Sequence, residues 1–211
     1  MHVVFDLDGV LLDSESDLAW LDRALDATLA AFDLPRTDEN RARLYPANVR
    51  EFEQAAASFG VPVDELWSVR HEHYLREKIA AIESGEIRPF PDVDVVRDLA
   101  VRYPVSIISN SPVEVVEAFV RAADLETAID HRIGRGEDLL AIERLKPHGH
   151  FFDRLDAATE QDTYVYVGDS PSDRTFAQRV GMAYIHLDRD GHPPSDLAEV
   201  RERIEAVAGE E

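Results

Sequence analysis

The 211-residue chain has no cysteine. Disulfides and thiolate metal sites are therefore excluded, and the composition suits a reducing compartment, so a cytoplasmic protein is expected. It has only two lysines, Lys78 and Lys146, and the other 20 of its 22 basic residues are arginine. It lacks the run of about 18 apolar residues that a membrane-spanning helix needs. Its first residues lack the basic region, apolar stretch and small-residue cleavage site of a secretory signal, so none is expected. Internal repeats and low-complexity segments are also missing.

What the chain has in excess is acid. Its 43 acidic residues give a formal net charge of -21. One reading is an ordinary acidic protein. The other is adaptation to high salt, where carboxylates stay hydrated and self-repulsion is screened; the depletion of lysine favours it. Either way, nucleic acid and anionic membrane are excluded as natural partners. An anionic substrate would need local help from a metal, a lysine and backbone amides. The oligomeric state is not legible.

Residues 3–5 read as a first strand. Residues 15–33 then read as a helix, with Leu18, Leu21, Leu25 and Leu29 at helical spacing and Pro35 beyond its end. Helices are expected at 38–44 and 48–59, split by Tyr45 and Pro46. Another is expected over Val63–Ile82, with Asp64 as its N-cap. Gly85, Pro89 and Pro91 then punctuate the chain. After Asp92, strands at 105–110, 129–134, 164–168 and 183–187 alternate with helices at 92–102, 113–123, 148–157, 171–180 and 195–207. That rhythm predicts an α/β fold, a doubly wound parallel sheet with helices on both faces, and the early helical block reads as an insertion. The Glu210-Glu211 terminus is expected to fray.

Two apolar runs end in acidic turns. The run VVFDLDGVLLDS carries Asp6 and Asp8, and TYVYV leads into GDSPSD with Asp169 and Asp173. A parallel sheet gathers such turns at the carboxyl ends of its strands, where ligands bind. Ser109 and Asn110 end another strand, and Lys146 precedes a helix. Together these loops offer carboxylates for a hard divalent cation, a hydroxyl and amides for an anion, and one cation. That set suits phosphoryl transfer, which is mostly positioning and charge neutralisation.

Four segments in this order, DLDGVLLDS, ISNSP, Lys146-Pro147 and GDSPSD, resemble the haloacid dehalogenase superfamily, in the branch of phosphoglycolate phosphatases and beta-phosphoglucomutases. The resemblance implies a Rossmann-like core at 1–14 and 90–211 and a helical cap at 15–89. It implies Asp6 as nucleophile and Asp8 as general acid and base. It implies Mg2+ held by Asp6, Asp169 and the Asp8 carbonyl, with Asp173 supporting that shell. Ser109 and the Asn110 amide would hold the phosphoryl group of a small phosphorylated metabolite, and Lys146 would neutralise charge. The Gly149 position departs from the pattern, where proline is frequent.

Other readings stay open. The chain could be a phosphatase, a sugar-phosphate mutase, or a noncatalytic binding or regulatory protein on the same fold. Asp13 and Ser14 either brace the first loop or cap the next helix. Gly9 permits close backbone approach or an unusual dihedral. Arg41, Arg43 and Arg50 could bring a cation over the cleft, or form a solvated face. Trp20 and Trp67 read as cap core, and His71, His73, His148 and His150 as packing or surface residues rather than zinc ligands. Lys78 lies too late in the cap for a Schiff-base role. Hinges are expected near 14–16 and 85–91.

Overall fold

The computed structural model describes residues 1–192 and 195–209. Strands β1 (His2–Phe5), β4 (Val105–Pro112), β5 (His131–Arg135), β6 (Tyr164–Gly168) and β7 (Ala183–His186) form one parallel sheet in the order β5-β4-β1-β6-β7. Phe5 lies opposite both Ile107 and Val167, so Asp6 emerges level with Gly168 at the end of β6 and with Ile108, where the regular register of β4 ends.

The period of two along β1 assigns its faces. Val3 and Phe5 pack into a core with Val105, Ile107 and Val165, under α5 (Val95–Ala100), α6 (Val113–Ala122) and α9 (Leu197–Gly209). Val4 points the other way, with Ile108 and Tyr166, onto α7 (His150–Asp156) and α8 (Pro171–Val180). The near-continuous β-branched strands follow from burial on both faces.

Helices α1 (Ala19–Ala31), α2 (Asp38–Arg43), α3 (Val49–Phe59) and α4 (Val63–Ser84) lie between two short strands. These strands, β2 (Leu12–Asp13) and β3 (Arg88–Pro89), pair antiparallel and bring the two ends of the helical segment together. Leu25, Leu29, Leu44, Phe52, Leu66 and Trp67 form the core of this layer. Thr37 and Asn48 cap α2 and α3 through Asn40 N and Glu51 N, and Gly85 ends α4 in the left-handed conformation at φ 73°.

Several boundaries differ from the sequence reading. Residues 15–18 are not helical: the Asp13 and Asp17 carboxylates accept from the amides of Ser16 and Ala19, which competes with helix formation. Asp64 is not a cap; Pro62 holds the N-cap position of α4 and Asp64 lies in the first turn. The helix at 92–102 shrinks to Val95–Ala100, and the strand at 105–110 continues to Pro112 through an irregular register after Ile108. A 3-10 helix at Leu139–Arg144 and the β2–β3 pair have no counterpart in the reading, because two-residue strands and single turns carry no periodicity. The expected fraying at Glu210-Glu211 lies outside the described residues. Among the described residues, no helix is long and apolar enough to cross a membrane.

Candidate active site

A cavity of about 530 Å³ opens at the carboxyl end of the sheet, between it and the helices of the early segment. Asp6, Asp8, Ser109, Asn110, Lys146, Asp169 and Asp173 all line it, so every site residue expected from the sequence converges there. The convergence comes from topology: β1, β4 and β6 are adjacent and parallel, and each releases its loop at the same edge.

Lys146 is the hub. Its Nζ lies 2.8 Å from Asp6 Oδ1 and donates to Asp173 Oδ1 at 2.6 Å and to Tyr166 Oη at 2.8 Å. Burial opposes its charge, but Asp6 and Asp173 outweigh that and raise its pKa. Asp173 is fully committed: its Oδ2 accepts from the Ser170 hydroxyl at 2.6 Å and the Ser170 amide at 3.1 Å, closing a capping box on α8. Asp173 is therefore held in one position at the cavity wall.

Asp6, Asp169 and Asp173 place carboxylate oxygens within 4.8 Å of one another. This is the cluster of metal-ligating side chains found among the described residues, and it includes no histidine. Burial pushes the Asp6 carboxyl well above its usual range despite Lys146, with Asp173 adding to the push. Burial and then Asp173 push Asp169 up to about 7. With all three ionised they would face one ammonium and leave two negative charges, which a divalent cation would balance. Oxygen ligands of this kind fit Mg2+. Gly9 meets the same cluster at φ 75°, and a Cβ there would come within 2.1 Å of Asp169 Oδ2. Both conditions foreseen for Gly9 hold together.

Asp8 has a different environment. Its Oδ1 accepts from Ser14 Oγ at 2.6 Å and from Lys78 Nζ at 2.6 Å, and its Oδ2 accepts from Ser111 Oγ at 2.7 Å. Burial works against its charge, but Lys78 and the hydroxyls win and lower its pKa. The carboxyls of Asp6 and Asp8, two residues apart, are thus shifted in opposite directions, Asp6 upward and Asp8 downward. Ser14 braces the first loop, and the alternative role as a helix cap falls away because α1 starts at Ala19.

Ser109 is buried and its Oγ accepts from the Ser111 amide at 3.1 Å. Asn110 spends its side-chain oxygen on the Lys146 amide at 2.8 Å, which ties the lysine loop to β4. Neither caps a helix: α6 begins after Pro112 with no side-chain cap.

Lys78 is the main residue that sequence reasoning missed. It is 2% exposed, reaches across from α4, and holds both Asp8 and Ser111. Its rarity was the available signal, since the chain has only one other lysine. Arg41, Arg43 and Arg50 do not reach the cleft. Arg41 pairs with Asp26 and Asp38, Arg43 pairs with Glu39, and Arg50 is exposed. Arg70 and Arg135 line the cavity instead. Trp20 and Trp67 are buried as expected, and both also wall the cavity. His71 stacks on Trp67, and burial lowers its pKa to about 4.

Residues 1–181 match the model of a family described as haloacid dehalogenase-like hydrolase. The chain is 27% identical over 210 residues to a phosphoglycolate phosphatase of Escherichia coli (strain K12), covering 88% of this chain and 80% of that one. Its fold is shared with a predicted phosphoglycolate phosphatase from Haemophilus somnus 129pt, at TM-score 0.61 and 24% identity, covering 88% and 84% of the two chains. It is also shared with CbbY from Rhodobacter sphaeroides in complex with phosphate, at TM-score 0.62 and 19% identity, covering 88% and 85%.

Proposed function

The chain belongs to the haloacid dehalogenase-like hydrolases, and on that premise we propose that it is a Mg2+-dependent phosphatase of small phosphorylated metabolites, of the phosphoglycolate phosphatase kind. The observation that carries this reading is the meeting of Asp6, Asp8, Lys146 and Asp169 around one cavity.

In this mechanism a carboxylate oxygen of Asp6 attacks phosphorus, and the bond from phosphorus to the leaving alcohol oxygen breaks. Asp8 first takes up a proton from solvent, against the hold of Lys78, and then gives it to that oxygen. Water then attacks the aspartyl-phosphate, Asp8 takes the proton back, and phosphate leaves with Asp6 regenerated. Lys146 holds the Asp6 carboxylate in place and offsets charge on the phosphoryl oxygens. Ser109 and the Asn110 amide hold the phosphoryl group. Asp6, Asp169 and the Asp8 carbonyl would hold Mg2+, which supplies charge neutralisation at phosphorus when bound. Both Asp8 oxygens are taken by Ser14, Lys78 and Ser111. One of these contacts must open when the leaving oxygen arrives.

Residues 15–89 act as a cap over a core made of 1–14 and 90–211, and Lys78 reaches from the cap to the core. The β2–β3 pair, at the two crossings between these parts, gives a place for the hinge.

The test is phosphate release from phosphoglycolate, sugar phosphates and p-nitrophenyl phosphate, in molar KCl, with Mg2+ or with EDTA. The expected result is Mg2+-dependent release that Asp6→Asn abolishes. Release that survives Asp6→Asn would refute the nucleophile, and sugar-phosphate isomerisation without release would make the protein a mutase.

A further inference from the structure

Two arginines in the cavity wall stand apart from the rest. Arg70 is 6% exposed and Arg135 is 5% exposed. Arg70 donates from Nε to the Leu44 carbonyl at 3.0 Å, and Arg135 donates from Nη1 to the Gly136 carbonyl at 3.2 Å. Among the described residues neither forms an ion pair; the groups beside Arg70 are the neutral phenols of Tyr45 and Tyr74, and the acid influencing Arg135 is Glu114, outside ion-pair range. Other partly buried arginines such as Arg41 and Arg189 have carboxylates, Asp26 and Asp92, whereas Arg132, also without one, lies outside the cavity. In a chain with 43 acidic residues, two buried guanidiniums without one are conspicuous. A buried charge normally has a partner, and burying one unpaired is costly.

Their surroundings form a walled recess. Both guanidiniums lie against Trp67, Arg70 at 5.3 Å and Arg135 at 5.1 Å from the ring centre. Arg70 also lies 5.0 Å from the Tyr74 ring, which has Lys78 at 5.8 Å as a second cation. Arg70, Tyr74 and Lys78 are spaced by four along α4, so they share one face. That face spans about 12 Å of helix, from the group touching Asp8 to Arg70. Arg70 comes from α4 and Arg135 from the end of β5, so the recess is shared between two elements.

We propose that Arg70 and Arg135 bind a second anionic group of the substrate, a carboxylate or a second phosphate, so that preferred substrates are phosphorylated metabolites with two anionic ends. The assignment of the substrate rests on the phosphatase reading of the Asp6 site. Planar guanidinium forks match oxyacid groups in two-point contact, and the aromatic walls keep that contact dry. A ligand held by both arginines also ties α4 to β5.

The experiment compares phosphoglycolate, fructose 1,6-bisphosphate and p-nitrophenyl phosphate, the last without a second anion. Wild type, Arg70→Gln, Arg135→Gln and Arg70→Lys are assayed, each with its melting temperature. The ratio of kcat/KM for the better substrate with two anionic groups to that for p-nitrophenyl phosphate should fall about 100-fold in either Gln variant, and less in Arg70→Lys. The better of phosphoglycolate and the bisphosphate distinguishes carboxylate from phosphate. A ratio within threefold of wild type in both Gln variants overturns the proposal, as does an equal loss on all substrates with a lowered melting temperature. Calorimetric binding of phosphoglycolate and of the bisphosphate separates the two readings. If wild type hydrolyses nothing, the phosphatase reading fails. Binding lost in the Gln variants would still uphold the anion site, and binding indifferent to them would overturn it.

Discussion

Replacing Lys78 with methionine removes one charge while keeping an unbranched side chain of similar length. Lys78 Nζ lies 2.6 Å from Asp8 Oδ1 and 2.9 Å from Ser111 Oγ, with side-chain exposures of 3% for Lys78 and 22% for Asp8. Breaking a fully buried ion pair by removing one partner costs about 3–5 kcal/mol, because a bare charge is left behind. Asp8 is partly open to the cavity and keeps Ser14 and Ser111, so water and hydroxyls offset part of that loss. The expected destabilisation is about 2 kcal/mol, read from denaturant unfolding. In a double-mutant cycle with Asp8→Asn, the pair should show a coupling of about 2 kcal/mol. A pair this enclosed is poorly screened, so the coupling should change by less than about 0.5 kcal/mol between dilute buffer and molar KCl. A coupling below about 0.5 kcal/mol, or one that vanishes in salt, would refute the idea that Lys78 latches α4 onto the Asp8 loop.

Gly9→Ala would press a methyl group onto Asp169 at a positive φ, so it should cost about 1–3 kcal/mol and weaken Mg2+ stabilisation in thermal melts; unchanged Mg2+ response would show that the loop can move aside. Burial lowers the His2 pKa to about 4 from 6.5, against the pull of Asp130. The unfolded chain therefore takes up a proton near pH 6.5 that the folded protein refuses until about pH 4, and stability falls as the pH drops through that window by up to about 3 kcal/mol. His2→Gln, which can still reach Ser106, should flatten this part of the pH profile; an unchanged slope between pH 7 and pH 4 would clear His2 of the effect. With a net charge of -21, unfolding free energy should rise on going from dilute buffer to molar KCl, and equal stability in both would count against adaptation to high salt.

The strands that build the sheet were legible because burial on both faces leaves continuous apolar runs, VVF, VSII and YVYV. The acidic turns after β1 and β6 were legible because carboxylates directly after such runs have no packing role there. Lys78, Arg70 and Tyr74 were not legible. Their spacing of four is that of any helix face, and the same pattern holds for residues that merely fill a core. For Arg41 and Arg43 the sequence left a cleft cation and a solvated face both open, and the structure gives the solvated face, because sequence shows a cluster of charge but not which carboxylates lie near it.

Sequence alone therefore determined the parallel α/β framework and the four loops that carry Asp6, Asp8, Ser109, Asn110, Lys146, Asp169 and Asp173. Strand periodicity and turn chemistry are local properties, and the order of adjacent parallel strands brings their ends together. Tertiary structure alone decided what faces those loops. Lys78 meets Asp8 across 70 residues, and Arg70 and Arg135 meet on one indole ring although they are far apart in the chain. Such contacts depend on how the inserted helices pack over the sheet edge, and that packing leaves no mark at any one position.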